Sequence, residues 1–324
     1  MGYWLRLNSG FFINGVEYST DGTTWEPGNL PPNQGGTDAS IKNLDFSPGL
    51  QSFVVFSVES EDDVSKKYVF LTTDGLEYTG PLDQNFEDWK WPNDGIIHGG
   101  QPGLVIGDGS DDLFFVVSTD GQTLNLASVE GPAGFPEWPH AEYDPTAVTW
   151  MMIAVQTGSG VFLWQSTDGG ATWAAKQHTD DVPGYVYNDV FVVSDGNGYF
   201  VAMWFSYGVS PSASVSLVSS DGGATWDGIH ESPFDDDPLD LRNLGYDADK
   251  GVFLAYVYRD TDLYDLWYTP DGISWTKEKE GGADAMYEEW RLRVKNNKVT
   301  GDFAYGDFGP NLFWMATIGV EEVT

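Results

Sequence analysis

The stretches STDGGATW (Ser166–Trp173) and SSDGGATW (Ser219–Trp226) repeat one eight-residue pattern within a single chain. Four looser copies accompany them: STDGTTW at Ser19–Trp25, TTDGLEY at Thr72–Tyr78, STDGQTL at Ser118–Leu124 and TPDGISW at Thr269–Trp275. Each places a hydroxyl residue two positions before an Asp that is followed by Gly. The six aspartates, Asp21, Asp74, Asp120, Asp168, Asp221 and Asp271, recur at intervals of 46 to 53 residues. The pattern reads as a turn, because an Asp side chain accepts bonds from the backbone just ahead of it and Gly takes a positive φ at no steric cost. The runs before the turns, such as VFLWQ, SVSLV and LYDLWY, are strand-like, and the Thr and Trp after them begin a second strand. Two further strand-like runs lie upstream, for example MMIAVQT in the fourth unit and VFLAYVYR in the sixth. Four strands per unit of about 50 residues, repeated, is the arithmetic of a propeller blade.

Composition bounds the function. The 324 residues include no Cys, and 41% are hydrophobic and 15% aromatic, enough for a substantial core. Disulfide staples and Cys-ligated zinc are excluded. Lys plus Arg number 15 against 50 Asp plus Glu, so the net charge of -35 opposes nucleic acid and anionic membranes as partners. No stretch reaches the roughly 18 apolar residues of a membrane span, and the start MGYWLRLNSGFFING lacks a signal-peptide run. The expectation is therefore no membrane insertion, no export signal and synthesis in the cytoplasm.

The expected architecture is all-β: a single closed β-propeller of four-stranded blades over residues 1–324, its N- and C-terminal strands closing the ring. Seven blades are favoured, with RLRVKNNKVTGDFAYGDFGPNLFWMATIG laid over the sixth unit and a degenerate seventh turn at Thr317, Ile318 and Gly319. Six blades, with the two chain ends sharing one, is the alternative. The repeat resembles the Asp box of bacterial neuraminidases, SxDxGxTW, which the copies at Ser166 and Ser219 match at every fixed position. The first and sixth copies are one residue shorter, and the second and third carry Tyr78 and Leu124 in place of the Trp. This resemblance implies a box at the turn between the third and fourth strands, on the rim away from the ligand face. Asp21, Asp74, Asp120, Asp168, Asp221 and Asp271, with Trp25, Trp173, Trp226 and Trp275, are then structural staples, and no residue is assigned as catalytic.

Enzymes share the repeat, and their requirements can be compared with this chain. Sialidases of the family hold a carboxylate with three Arg and carry an ArgIlePro motif. Here the arginines are Arg6, Arg242, Arg259, Arg291 and Arg293, and ArgIlePro does not occur. Glycosidases need two carboxylates about 5 to 9 Å apart, but with 50 acids such a pair is no signal in sequence. His98, His140, His178 and His230 show no metal or triad spacing and read as solvated or capped histidines.

Long connectors at 27–39, 83–94, 131–145 and 230–240 would open on the face opposite the boxes. Two of them combine aromatic residues with acids: Trp89 and Trp91 in one, and Phe135, Trp138 and Tyr143 in the other. Such rings suit neutral sugars or a protein partner, or they plug gaps between blades. Asp108, Ser110 and Asp112 alternate as in the first part of a calcium loop, without the Glu that completes one, so calcium is the one cofactor the sequence suggests. The acid excess is mostly Asp, a balance suited to salty surroundings. These features suit a non-catalytic module for surface display, recognition or decoration, and the resemblance to compact propellers of bacteriophage surface appendages implies a capsid or tail appendage as its setting and a virion protein or host glycan as its partner. The alternative is a glycoside hydrolase on neutral glycans. A sialidase, or an assembly factor similar to those of photosystem II, fits less well because cations are scarce.

Overall fold

The computed structural model describes residues 4–10, 13–20, 24, 26–32, 38–47, 49–61, 64–84, 96–99, 104–108, 114–129, 136–156, 160–179, 185–207, 213–232, 234, 238–248, 250–259, 263–280, 304–306, 311–313 and 315–317. Every regular element among them is a strand. The first sheet contains β1 (Trp4–Gly10), β2 (Ile13–Ser19) and β3 (Glu26–Pro27), and the second β4 (Asp38–Ser47), β5 (Ser52–Glu61) and β6 (Val64–Thr72). The third contains β7 (Asp83–Gln84), β8 (Ile96–Gly99), β9 (Leu104–Asp108), β10 (Phe114–Ser118) and β11 (Thr123–Leu126). The fourth contains β12 (Ser128–Val129), β13 (Pro136–Asp144), β14 (Thr149–Gln156), β15 (Gly160–Ser166) and β16 (Thr172–Thr179). The fifth runs β17 (Tyr185–Ser194), β18 (Phe200–Tyr207), β19 (Ala213–Ser219), β20 (His230–Ser232), and the sixth β21 (Pro238–Asp247), β22 (Val252–Arg259), β23 (Leu263–Thr269), β24 (Thr276–Glu280). A short hairpin of β25 (Ala304–Gly306) and β26 (Asn311–Phe313) follows, and then β27 (Met315–Thr317).

Each sheet is an antiparallel meander, and connectors extend two of them. The connector strand β7 adds in parallel to β11, and β12 adds in parallel to β16, covering edges that would otherwise present unpaired backbone groups. The strand β27 pairs antiparallel with β1, Trp4 opposite Thr317, so the first sheet reads β27-β1-β2-β3 and holds strands from both ends of the chain. Thr317, taken from sequence as part of a turn, therefore lies in a paired strand. Compactness divides the chain into two units, residues 1–106, 117–126 and 291–324 in one, 107–116 and 127–290 in the other.

Within the second unit the apolar runs of the middle strands are explained by burial on both faces. In β18, Phe200, Ala202 and Trp204 join a core with Met151, Ile153 and Leu163 of the fourth sheet. The alternate residues Val201 and Met203 join a different core with Phe253, Ala255 and Trp267 of the sixth. A strand with period-2 side chains feeding two cores has no polar face, so it reads as an unbroken hydrophobic run. In the first unit Leu5 and Val16 pack on Phe53, Val55 and Phe70 of the second sheet in the same way.

The turn glycines sit where these sheets meet. A Cβ on Gly272 would lie 2.5 Å from Val201 Cγ2 and 2.9 Å from Val218 Cγ1, and its φ is +71°. Both neighbours are β-branched and stiff, so neither gives way cheaply. Gly272→Ala is expected to destabilise the chain by at least about 2 kcal/mol, from overpacking added to left-handed strain, measured by urea unfolding. An effect below about 0.5 kcal/mol would show that the sheets are not in contact there.

Candidate functional site

The five described boxes share one construction. In the fourth sheet, Ser166 Oγ donates to Asp168 Oδ1 at 2.8 Å and accepts from Gly170 N–H at 2.9 Å. Asp168 in turn accepts from Thr172 N–H at 2.9 Å and from Thr172 Oγ1 at 2.6 Å. The same set recurs at Ser219, Asp221, Gly223 and Thr225. At Thr72, Ser118 and Thr269 the turn is one residue shorter, and the hydroxyl accepts from the N–H of Gly75, Gly121 and Gly272 instead. The box hydroxyls Ser19, Thr72, Ser118, Ser166, Ser219 and Thr269 are all buried, whereas Asp120, Asp168 and Asp221 face solvent. Trp173 is buried and donates its indole N–H to Gly170 O at 2.8 Å, Trp275 is buried beside Phe234, and Trp226 packs half-buried on the core between the fourth and fifth sheets. Asp21 and Trp25 lie outside the described residues.

Three of the described boxes also dock on the sheet before them. Gly75 O accepts from Asn29 N–H at 2.9 Å, Gly222 O from Gln165 Nε2 at 2.8 Å, and Gly272 O from Ser216 Oγ at 2.8 Å. These boxes are therefore inter-sheet joints as well as hairpin staples, a role that the local pattern alone does not disclose.

A second repeated turn joins the first and second strands of these sheets. Leu50 N–H donates to Ser47 Oγ, Ala147 N–H to Asp144 Oδ1, Gly196 N–H to Ser194 Oγ and Lys250 N–H to Asp247 Oδ1. Four residues after each acceptor the backbone is left-handed, at Gln51 (φ 51°), Val148 (φ 53°), Gly198 (φ 92°) and Gly251 (φ 68°). Asp144 is fully buried and joins the fourth and fifth sheets, accepting a short bond from Ser194 Oγ and one of 2.8 Å from Gly198 N–H. Thr146 Oγ1 adds a bond of 2.6 Å to Gly196 O. A β-branched residue in the left-handed region is strained, so Val148→Asn is expected to raise stability by about 1 kcal/mol in thermal unfolding. A loss of stability would show that the Val148 side chain has a packing role despite its exposure.

The strand that leads each of four meanders shares a third feature, a break in register. Against its partner, β4 gains one residue between Ile41 and Asn43, β13 one between Glu137 and His140, β17 two between Val186 and Val190, and β21 one between Leu241 and Asn243, with a second break between Pro238 and Asp240. The residue that ends each bulge, Lys42, Pro139, Asp189 or Arg242, stands five positions before the turn acceptor Ser47, Asp144, Ser194 or Asp247. Pro139, which favoured a loop reading of 131–145, is tolerated in β13 because it falls in this register break.

The other expected site residues are distributed as follows. Trp138 lies in β13 at its bulge, and Tyr143 lies near the opposite end of β13 with its ring 5.3 Å from that of Trp150. Burial, with the Asp144 charge second, raises the Tyr143 hydroxyl above its ordinary value. Trp89, Trp91 and Phe135 lie outside the described residues, as do Ser110 and Asp112, while Asp108 ends β9. No three His, Asp or Glu converge as a metal site among the described residues. Nor, among them, is any helix long and apolar enough to cross a membrane.

His140 occupies the seam between β13 and β17, where its Nδ1 accepts from Val192 N–H at 3.3 Å and its ring stands 5.2 Å from Phe191. Burial lowers its pKa from 6.5 to about 4. Asp221 is lowered to about 2 by the Thr225 hydroxyl and backbone bonds. For Asp168 burial raises the value, but the Thr172 and Ser166 bonds outweigh it and the carboxyl also ends below its ordinary range.

No protein-family model matches the chain, and no curated protein matches it. Solved structures do. A putative 6-phosphogluconolactonase from Bacteroides uniformis aligns with TM-score 0.56 at 10% identity over 86% of this chain and 82% of its own. Prolyl oligopeptidase B from Galerina marginata aligns with TM-score 0.50 at 14% identity over 85% of this chain and 42% of its own. A Trypanosoma rangeli sialidase aligns with TM-score 0.46 at 14% identity over 81% of this chain and 50% of its own, too loosely to carry an argument. The first is a propeller protein, and at these identities the likeness concerns the fold alone. Meanders of three to five strands, packed on one another within each unit, and the propeller neighbour make this an all-β protein of propeller type.

The pH dependence follows from the two kinds of shift. His140 is held neutral in the fold, so the unfolded chain takes up its proton first, and stability falls as pH drops from about 6.5 to about 4. The lowered box carboxylates contribute stability that is present above their ordinary value of 3.8 and is lost as pH falls further, toward about 2 for Asp221. Chemical unfolding at pH 7 and pH 5 should show a loss for the wild type that His140→Gln does not show. Equal losses in both proteins would contradict the assignment.

Proposed function

We propose that the chain is a non-catalytic propeller module for recognition and display, in which the six box-bearing sheets are blades of one domain. The pairing of β27 with β1 supports closure through a blade shared by the two chain ends, and so favours six blades over seven. The observation that carries the functional reading is how the polar residues are spent. Asp74, Asp120, Asp168, Asp221 and Asp271 each accept bonds from their own turn, and Asp144 is buried in a clasp between two sheets. These are positions at which acids hold a rigid frame, and a rigid frame is what presents connectors at low entropic cost on binding.

The net charge of -35 directs such a module toward neutral glycans or a protein surface and away from polyanions. A virion appendage is the setting we propose, supported by the acid-rich, Cys-free composition, which suits a soluble surface displayed in many copies. The test is twofold. The folded protein, applied to an array of neutral glycans and assayed with aryl glycosides, is expected to retain a glycan without turnover. Turnover abolished by a single Asp or Glu substitution would replace the reading with glycoside hydrolysis. Capsid and tail genes beside this one would support the setting, and a polysaccharide-degradation locus would contradict it.

A further inference from the structure

We propose that Asp227–Gly228 is a site of spontaneous isoaspartate formation, the one Asp–Gly step among the described residues that the fold leaves open to this chemistry. The chain contains ten Asp–Gly steps, of which Asp21–Gly22, Asp94–Gly95 and Asp108–Gly109 fall wholly or partly outside the described residues. The five described boxes, Asp195–Gly196 and Asp227–Gly228 remain. An Asp–Gly step is the most open to attack by its own backbone, because glycine has no Cβ to shield the nitrogen or restrict the angles through which it must turn.

The reaction is a rearrangement. The main-chain nitrogen of the glycine attacks Cγ of the protonated aspartate, and the new N–C bond forms as the nitrogen's hydrogen and the carboxyl hydroxyl leave together as water. The five-membered imide then takes up one water at either carbonyl. One opening restores aspartate, and the other gives isoaspartate, in which the main chain runs through Cβ and Cγ. Two conditions must be met: a carboxyl free to turn toward the main chain, and a glycine N–H that is not already committed to a bond.

Six of the seven steps fail the first condition. In the boxes the carboxylate is held by N–H groups ahead of it, those of Leu76, Gln122, Thr172, Thr225 and Ile273 among them. Asp195 Oδ1 likewise accepts from Asn197 and Tyr199 N–H at 2.7 and 3.1 Å. Five steps fail the second as well: Gly75, Gly121 and Gly272 N–H donate to the box hydroxyls, Gly196 N–H to Ser194 Oγ and Gly222 N–H to Gly198 O. The Thr225 bonds also hold Asp221 down to about 2, which makes the reactive protonated form scarce there. Asp227 meets both conditions. It and Gly228 are exposed, and among the described residues no group bonds the Asp227 carboxylate or accepts from Gly228 N–H. A Cβ on Gly228 would meet nothing within 4 Å. Asp227 N–H is anchored on Val218 O at 2.9 Å and the ladder resumes at His230 opposite Ser216, so the outer chain spans this stretch with one residue more than β19 does. That slack is the room in which the imide ring closes.

The full chain is incubated in mildly acidic buffer made with heavy-oxygen water, folded in one sample and unfolded by urea in another. Peptide mapping by mass spectrometry then counts the heavy oxygen that each passage through an imide leaves behind, and a protein isoaspartyl methyltransferase marks the isoaspartate. In the folded chain the product at Asp227 should accumulate about tenfold or more faster than at any of the other six described steps, the effect of one or two held bonds on a rate. In urea this preference should disappear. Gly228→Ala, whose methyl group has open space in the fold, and Asp227→Glu, which would need a six-membered ring, should melt as the wild type does and remove the signal from this position alone. Similar rates at Asp227 and at the box steps of the folded chain would overturn the proposal, as would a preference for Asp227 that persists in urea, because sequence and not fold would then decide. A signal at Asp227 that Gly228→Ala leaves unchanged, or a folded chain that forms none there while the unfolded chain does, would overturn it equally.

Discussion

The structure depends on a buried hydroxyl. In each described box a Ser or Thr at the end of the third strand is removed from water, and its oxygen accepts the N–H of the turn glycine while its proton goes to the Asp. Leaving that N–H without a partner would cost about 1–3 kcal/mol per turn. With the partner in place the turn can be pressed against the preceding sheet, close enough that glycine is required at Gly272. The hydroxyl, the glycine and the neighbouring sheet are thus one joint, and the joint is repeated wherever sheets are stacked in the described parts of each unit.

The acidic composition is compatible with this frame because the two uses of Asp are separated. The carboxylates of Asp120, Asp168, Asp221 and Asp271 stay in reach of solvent and are charged, with their pKa held low by bonds from their own turns. Asp144 is the buried case, and it accepts four bonds, from Thr146 N–H, Ala147 N–H, Ser194 Oγ and Gly198 N–H. A carboxylate so fully satisfied can be desolvated without a cation, and its position ties two sheets to each other. Asp265 is treated differently: buried in β23, it meets Lys277 Nζ at 3.1 Å across the same sheet.

What could be read in the sequence follows from how local each device is. The boxes were legible because hydroxyl, Asp and Gly lie within a few residues and serve the same bonds in every described copy. The second turn was not legible. Its acceptor is Ser47, Asp144, Ser194 or Asp247, and its left-handed residue is Gln51, Val148, Gly198 or Gly251, so geometry is kept while residue type is not. The bulges escaped for the same reason, since an extra residue is visible only against the partner strand. Pro139 added to this by marking 131–145 as a loop, although Pro136–Asp144 is a strand at the edge of its sheet. The pairing of β27 with β1 joins the two ends of the chain, and no local signal in either segment specifies it. Of the aromatic residues that sequence singled out, Tyr143 proved to pack on Trp150, and Trp138 fell at a bulge.

The central claim is that the box turns belong to the rigid frame even though their carboxylates face solvent. Native-state amide hydrogen exchange on the intact chain tests this most directly. The amides of Gly170 and Gly223, bonded to the buried Ser166 and Ser219 hydroxyls, should exchange as slowly as those of Met152 and Ile153 in the adjacent core strand, through global unfolding only. Exchange of these two amides at the rates of an open surface loop would contradict the account.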